Sequence, residues 1–189
     1  DFLDGPTNDP DRPVFRFLRN IAAAEKPLVA AVAGNAVGVG TTMLLHCDLV
    51  YAGESARFQL PFVNLALCPE AASSLLLPRL AGHQRAAELL FFGEPFGAAK
   101  AHEIGLANAV LPDAGVFAHA RERAQKLATL PAASLRETKR LLKQSIAALV
   151  PQVMQDEGEI FKRQLASPAA KEAFSAFLEK RKPDFSKFG

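Results

Sequence analysis

The sequence predicts an α/β protein whose chain turns all-helical beyond about residue 112. Three observations carry that reading. Two short apolar runs, Leu28–Ala33 and Leu49–Ala52, have the length and composition of buried parallel strands. Between them lie a glycine-rich turn, residues 34–40, and a helix-like stretch, Thr41–Cys47, which together make a βαβ unit. From Pro112 onward only helical periodicity remains, so residues 1–111 form an α/β core and residues 112–189 a helical region.

The elements follow in order. Residues 1–12 are acidic and rich in Pro, Gly and Asn, a loop composition. From Pro13 a helix places Val14, Phe17, Leu18 and Ile21 on one face, and Lys26-Pro27 ends it. In the turn, Gly38 and Gly40 permit positive φ and close backbone approach. At the helix start that follows, the first N–H groups have no intrahelical acceptor and face whatever lies above them. That is a phosphate, a developing oxyanion, or, in a plain tight turn, no ligand at all. The turn is not a dinucleotide fingerprint, because no third glycine completes it, nor a phosphate loop ending in Gly-Lys-Ser/Thr.

Arg57–Pro61 and Val63–Leu67 read as short strands broken by proline. Cys68-Pro69-Glu70 opens a helix to about Leu80, with Pro69 at its first position. A helix over Gln84–Phe91, a turn over Gly93–Gly97, a short helix over Ala98–Ile104 and a strand over Ala107–Leu111 complete the core. Ala114–Ala128 is amphipathic. Leu135, Leu142, Ile146 and Leu149 mark the next helix, Val150, Met154, Phe161 and Leu165 another, and Phe174, Phe177 and Leu178 the last. Pro131, Pro151 and Pro168 punctuate them. The apolar surface of this tail exceeds what one thin layer needs, which points to subunit contacts.

Composition narrows the function. Of the 189 residues, 49% are hydrophobic and 22% charged, an ordinary globular balance, and a net charge of +2 gives no footprint for nucleic acid. Cys47 and Cys68 lie in apolar stretches, the usage of reduced thiols in a cytoplasmic-type compartment, and neither has metal-ligand spacing. No run reaches membrane-spanning length and the first residues carry no signal-peptide pattern, so the expectation is a soluble protein.

The stretch KPLVAAVAGNAVGVGTTMLLHCDLVYAGESARFQLP resembles the signature region of the enoyl-CoA hydratase/isomerase (crotonase) family. FFGEPFGAAKAHEIGLANAVLP resembles that family's later segment, and AFLEKRKPDF its C-terminal end. The resemblance implies a spiral of ββα units, a helical trimerisation region and hence a homotrimer or homohexamer. It implies acyl-CoA thioester substrates, with no cofactor beyond the coenzyme A that the substrate carries. It also implies an oxyanion hole of two backbone N–H groups, one mapping onto Val39 beside Gly38, the other upstream of Asp1. On this reading the chain looks like a family member without its N-terminal part.

The family's hydratases use two glutamates, one to activate water and one to deliver a proton. Those positions are Thr42 and Phe62 here, a poor general base and a residue that cannot transfer protons. One acid remains nearby. Glu70, in Cys68-Pro69-Glu70-Ala71, is similar to the single catalytic glutamate of the peroxisomal-type Δ3,Δ2-enoyl-CoA isomerases. One carboxylate suffices to take a proton from C2 and return it at C4 when the enolate oxygen is held by preorganised donors. The competing role for Glu70 is that of an acid favoured by a helix N-terminus. Asn64 either reaches the acyl pocket or has a strand-capping or solvent-facing role. Phe177 and Lys180 match positions that contact CoA, although Lys180 also reads as part of a solvated charge run. His46 and Cys47 read as packing, and Asp48 and Glu54 as turn residues.

Overall fold

The computed structural model describes residues 13–188. Helix α1 (Pro13–Ala22) leads into strand β1 (Val29–Val32). Strand β2 (Asn35–Val37) and helix α2 (Val39–Thr42) follow, continued by a 3-10 turn over Met43–His46 into β3 (Leu49–Gly53). Strand β4 (Arg57–Gln59), a 3-10 turn (Val63–Leu65), α3 (Ser73–Ala81), α4 (His83–Phe92), β5 (Phe96–Gly97), α5 (Ala98–Glu103) and β6 (Ala109–Leu111) complete the α/β part. Helices α6 (Asp113–Ala128), α7 (Ala132–Lys143), α8 (Leu149–Leu165) and α9 (Pro168–Leu178) form the rest.

The strands make two small sheets. One has the order β1-β3-β6 and is parallel throughout, with Val29 opposite Leu49 and Tyr51 opposite Ala109. The other has the order β2-β4-β5, with β2 parallel and β5 antiparallel to β4. Gly34, at φ 75°, lies in the two-residue link by which the backbone passes from β1 in one sheet to β2 in the other.

The main core takes side chains from both sheets and the helices, with Val50 and Ala52 of β3 in it; Phe58, Leu60 and Leu77 are fully buried there and the Phe58 and Phe96 rings stack at 5.5 Å. Burial of such side chains is the main stabilising term, each contributing about 1.5–3 kcal/mol. Helix α6 covers the first sheet through Val116 and Ala120 against Tyr51. Helix α9 places Ala170 in the main core and packs on the Val63–Leu65 turn, so the helical region closes over the α/β part.

Several sequence expectations shift. The helix after the glycine turn begins at Val39 rather than Thr41 and tightens to 3-10 geometry at Met43. Val63–Leu65 is a 3-10 turn, not a strand, because Phe62 and Leu67 are both anchored in the core and the chain must fold back between them. Pro69 does not open α3, which starts at Ser73 after two left-handed alanines. Leu149 belongs to α8, whose first turn accommodates Pro151. Of the apolar face expected on α1, Leu18 is buried while Val14 and Phe17 stay exposed. The expected loop over residues 1–12 lies outside the described residues. Among the described residues, no helix is long and apolar enough to cross a membrane.

Candidate active site

The glycine turn folds as its composition requires, at one glycine. Gly38 has φ 56°, which a side chain would strain, and its N–H donates to the Gln59 carbonyl at 3.0 Å. Its own carbonyl accepts from Thr41 N–H and Thr42 N–H at 2.9 and 3.0 Å, which closes the first turn of α2. The Thr41 hydroxyl donates to the Ala36 carbonyl at 2.5 Å and locks the turn to β2. Gly40 is not at positive φ, so the freedom expected of it is not used. Val39 is the first helical residue, and its N–H therefore has no acceptor within α2.

Thr42, on the same short helix, is completely buried, and its hydroxyl donates to Glu70 Oε1 at 3.4 Å. Glu70 is half-buried beside the core that contains Phe62 and Leu67. Burial pushes its carboxyl group above the usual carboxylate range. The Thr42 hydrogen bond opposes that shift, and the charge of Glu157 adds to it.

The backbone that carries Glu70 is tightly bent. Ala71 and Ala72 have φ of 59° and 56°, and the Glu70 carbonyl accepts from Ser73 N–H at 3.0 Å and from the Ser73 hydroxyl at 2.6 Å. His46 Nε2 donates to the Ala71 carbonyl at 2.8 Å. The imidazole is buried, which lowers its pKa below the ordinary value and leaves it neutral at pH 7. On the other side, Glu157 of α8 accepts from Ala72 N–H at 2.6 Å, Ser74 N–H at 2.9 Å and the Ser74 hydroxyl at 2.5 Å.

Sequence reasoning missed the bonds that two of these groups make. His46 was expected to pack and is buried, and its ring also ties down the Glu70 turn. Glu157 carried a usable signal, since it interrupts the apolar line Val150, Met154, Phe161, Leu165 of α8. An acid on a buried helix face must be paired or hydrogen-bonded. Asp48 lies at a bend, as expected, and also accepts from Lys139 Nζ at 2.7 Å and from Leu28 N–H at 2.7 Å, tying α7 to the segment before β1.

Gly38, Val39, Thr42 and Glu70 thus come together around α2, with Phe62 in the core beneath. Asn64 does not point that way: its amide donates to the Phe92 carbonyl at 3.0 Å and caps the end of α4. A side chain at Gly93, which has φ 59°, would overlap Asn64. Phe177 and Lys180 lie at the exposed end of α9, where Lys180 takes φ 54° and its N–H closes the helix on the Phe177 carbonyl.

Comparison with known proteins identifies the family. The enoyl-CoA hydratase/isomerase family model matches residues 5–187. The 2,3-dehydroadipyl-CoA hydratase of Escherichia coli (strain K12) is 36% identical over 165 residues, 87% of this chain and 65% of that protein. The enoyl-CoA delta isomerase 2 of Rattus norvegicus is 34% identical over 167 residues, 88% of this chain and 42% of that protein. The chain therefore spans less than two thirds of either relative. Among solved structures, Pseudomonas aeruginosa OdaA superposes with a TM-score of 0.91 at 49% identity, over 94% of this chain and 72% of that one. The enoyl-CoA hydratase/isomerase from Pseudoalteromonas atlantica T6c gives a TM-score of 0.89 at 46% identity, over 92% and 70%. With its glycine turn, its α/β core and its helical C-terminal region all matched, this chain belongs to the enoyl-CoA hydratase/isomerase, or crotonase, family.

Proposed function

We propose that the protein is an acyl-CoA isomerase that moves a double bond from C3 to C2 of an enoyl-CoA, with Glu70 as the single base and acid. The observation that carries this reading is the Glu70 carboxyl group, held beside α2 by Thr42 and raised in pKa by burial. Ionised Glu70 takes a proton from C2, the electrons spread over a dienolate whose negative end is the thioester oxygen, and the same carboxyl returns the proton at C4. The C3–C4 double bond is lost and a C2–C3 double bond forms, so the step is balanced without a cofactor. The Val39 N–H, which has no acceptor within α2, is the donor assigned to the thioester oxygen, with Gly38 giving the close approach. Phe177 and Lys180 are assigned to the CoA moiety, and the assembly to a trimer or hexamer.

Hydration is the second reading, supported by the identity with the E. coli hydratase. It needs a second acid. Glu157, the carboxylate whose charge reaches Glu70, has both oxygens filled by donors of segment 72–74, which favours isomerisation. Assay of the whole protein with 3-enoyl-CoA and 2-enoyl-CoA separates the two. Conversion of 3-enoyl-CoA to 2-enoyl-CoA is expected, and addition of water to 2-enoyl-CoA without isomerisation would replace the first reading by the second.

A further inference from the structure

The turn that presents Glu70 has a conformation its own sequence disfavours. A non-glycine residue in the left-handed region costs about 1–2 kcal/mol, and here Ala71 and Ala72 adopt it in succession. Such a turn persists only where its surroundings over-determine it. Ser73 and His46 hold the carbonyls of Glu70 and Ala71. The amides that the bend leaves pointing the other way, those of Ala72 and Ser74, converge on Glu157, which lies 85 and 83 positions along the chain.

Glu157 is 6% exposed on the face by which α8 packs against the core. An apolar residue on that line would pack as well but would leave two amides and a hydroxyl of the turn without an acceptor. An unpaired buried donor costs about 1–3 kcal/mol. A carboxylate with two oxygens is the side chain that takes all three, and burial raises its pKa while the Ser74 and Ala72 bonds oppose the shift. Other charged and titratable groups surround the pair. The Cys68 thiol donates to the Glu157 carbonyl at 3.5 Å, the Arg163 charge reaches that thiol, and His46 stands across the turn with Lys139 and Lys143 beyond it.

We infer that Glu157 is a positioning residue for Glu70: its carboxylate, carried by the C-terminal helical region, fixes the left-handed turn from which the Glu70 side chain meets Thr42 beside α2. The inference rests on Glu70 as the proton-transfer group and extends the site to α8. Glutamine at position 157 keeps the size but offers one acceptor oxygen, so one of the two amides loses its partner. It also removes the negative charge that disfavours ionisation of Glu70.

The test is Glu157→Gln in the whole protein, with 13C-labelled glutamate side chains. Three changes are expected together. The kcat for isomerisation falls by up to about 10²-fold, the penalty of a misplacement near 1 Å, while KM stays near the wild-type value. The 13C titration midpoint of Glu70 moves to lower pH. Amide exchange at Ala72 or Ser74 accelerates. An unmoved Glu70 midpoint with unmoved amide exchange overturns the inference, whatever happens to the rate. If Glu157→Gln does not fold, Ser74→Ala removes one donor of the three while the Glu157 carboxylate stays, and amide exchange at Ala72 or Ser74 must accelerate by a smaller amount; unmoved exchange overturns the inference. A wild-type protein without isomerase activity would defeat the proposed function, while the midpoint and the exchange rates would still decide whether Glu157 positions Glu70.

Discussion

Glu70 is held where its ionisation costs stability. Its folded-state pKa is raised by burial, so ionisation is easier in the unfolded chain. Its contribution to stability is therefore fully present below the unfolded value, near pH 4.3, and is lost as pH rises through the folded pKa. Glu70→Gln removes the base and the penalty together. The isomerisation rate should fall by roughly 10²–10⁴-fold, the usual range for one acid–base group. At pH 7.5 the variant should melt at or above the wild-type temperature, and that advantage should vanish near pH 4. A variant that keeps the wild-type rate would remove Glu70 from the mechanism, and one less stable than wild type at pH 7.5 would return it to a structural role. Thr42 sets the fine adjustment, because its hydroxyl bonds the charged form of Glu70 and lowers the pKa. Thr42→Val should move the acidic limb of the pH–rate profile to higher pH. A limb that stays in place would show that the 3.4 Å contact is not felt by the reacting group.

The elements that hold this site differ in how far they could be read from sequence. Strands β1 and β3 were legible because apolar runs of strand length, bounded by turn residues, need no distant information. Helix α4 was legible for a similar reason, its periodicity ending at Gly93. The start of α3 was not, because Pro69 is a good first residue and the left-handed alanines that delay the helix to Ser73 answer to Glu157, far along the chain. Of the candidate site, Gly38 followed from the glycine turn and Val39, Thr42 and Glu70 from the family resemblance of short segments. The bonds of His46 and Glu157, by contrast, are tertiary: the spacing on α8 marks Glu157 as a buried acid but does not say which turn it holds. The ion pair of Asp48 with Lys139 belongs to the second class. Its side chains are 23% and 6% exposed, and Lys139 also donates to the Lys26 carbonyl at 2.8 Å, so α7 is fastened to the segment that enters β1. Lys139→Met leaves Asp48 with the Leu28 N–H and partial access to water. The expected loss is roughly 3 kcal/mol, the lower end for breaking a buried pair. Denaturant unfolding reads it, and a loss under about 1 kcal/mol would put the pair in the class of surface ion pairs.

Large apolar side chains stand on the outside of several helices in the isolated chain. Phe91 and Phe92 of α4 are 67% and 62% exposed, Phe117 of α6 69%, Leu142 of α7 78%, and Phe177 and Leu178 of α9 73% and 72%. Single exposed apolar residues need no explanation, but pairs such as Phe91-Phe92 and Phe177-Leu178 on neighbouring surface positions do. Burial of that area between subunits is the economical account, since each fully covered side chain contributes about 1.5–3 kcal/mol to association. Cyclic symmetry lets one patch serve every copy. The α9 pair is the sharper test because it adjoins Lys180, which the proposed site assigns to CoA, so assembly and substrate binding meet at one helix end. Light scattering on the whole protein at micromolar concentration should give the mass of three or six chains. Phe177→Ser with Leu178→Ser should shift that mass toward the single chain while the core packing of α9 through Ala170, Ala173 and Ala176 survives. A wild-type protein that scatters as a monomer would end the assembly proposal, and a double variant that remains fully assembled would place the interface on the other helices.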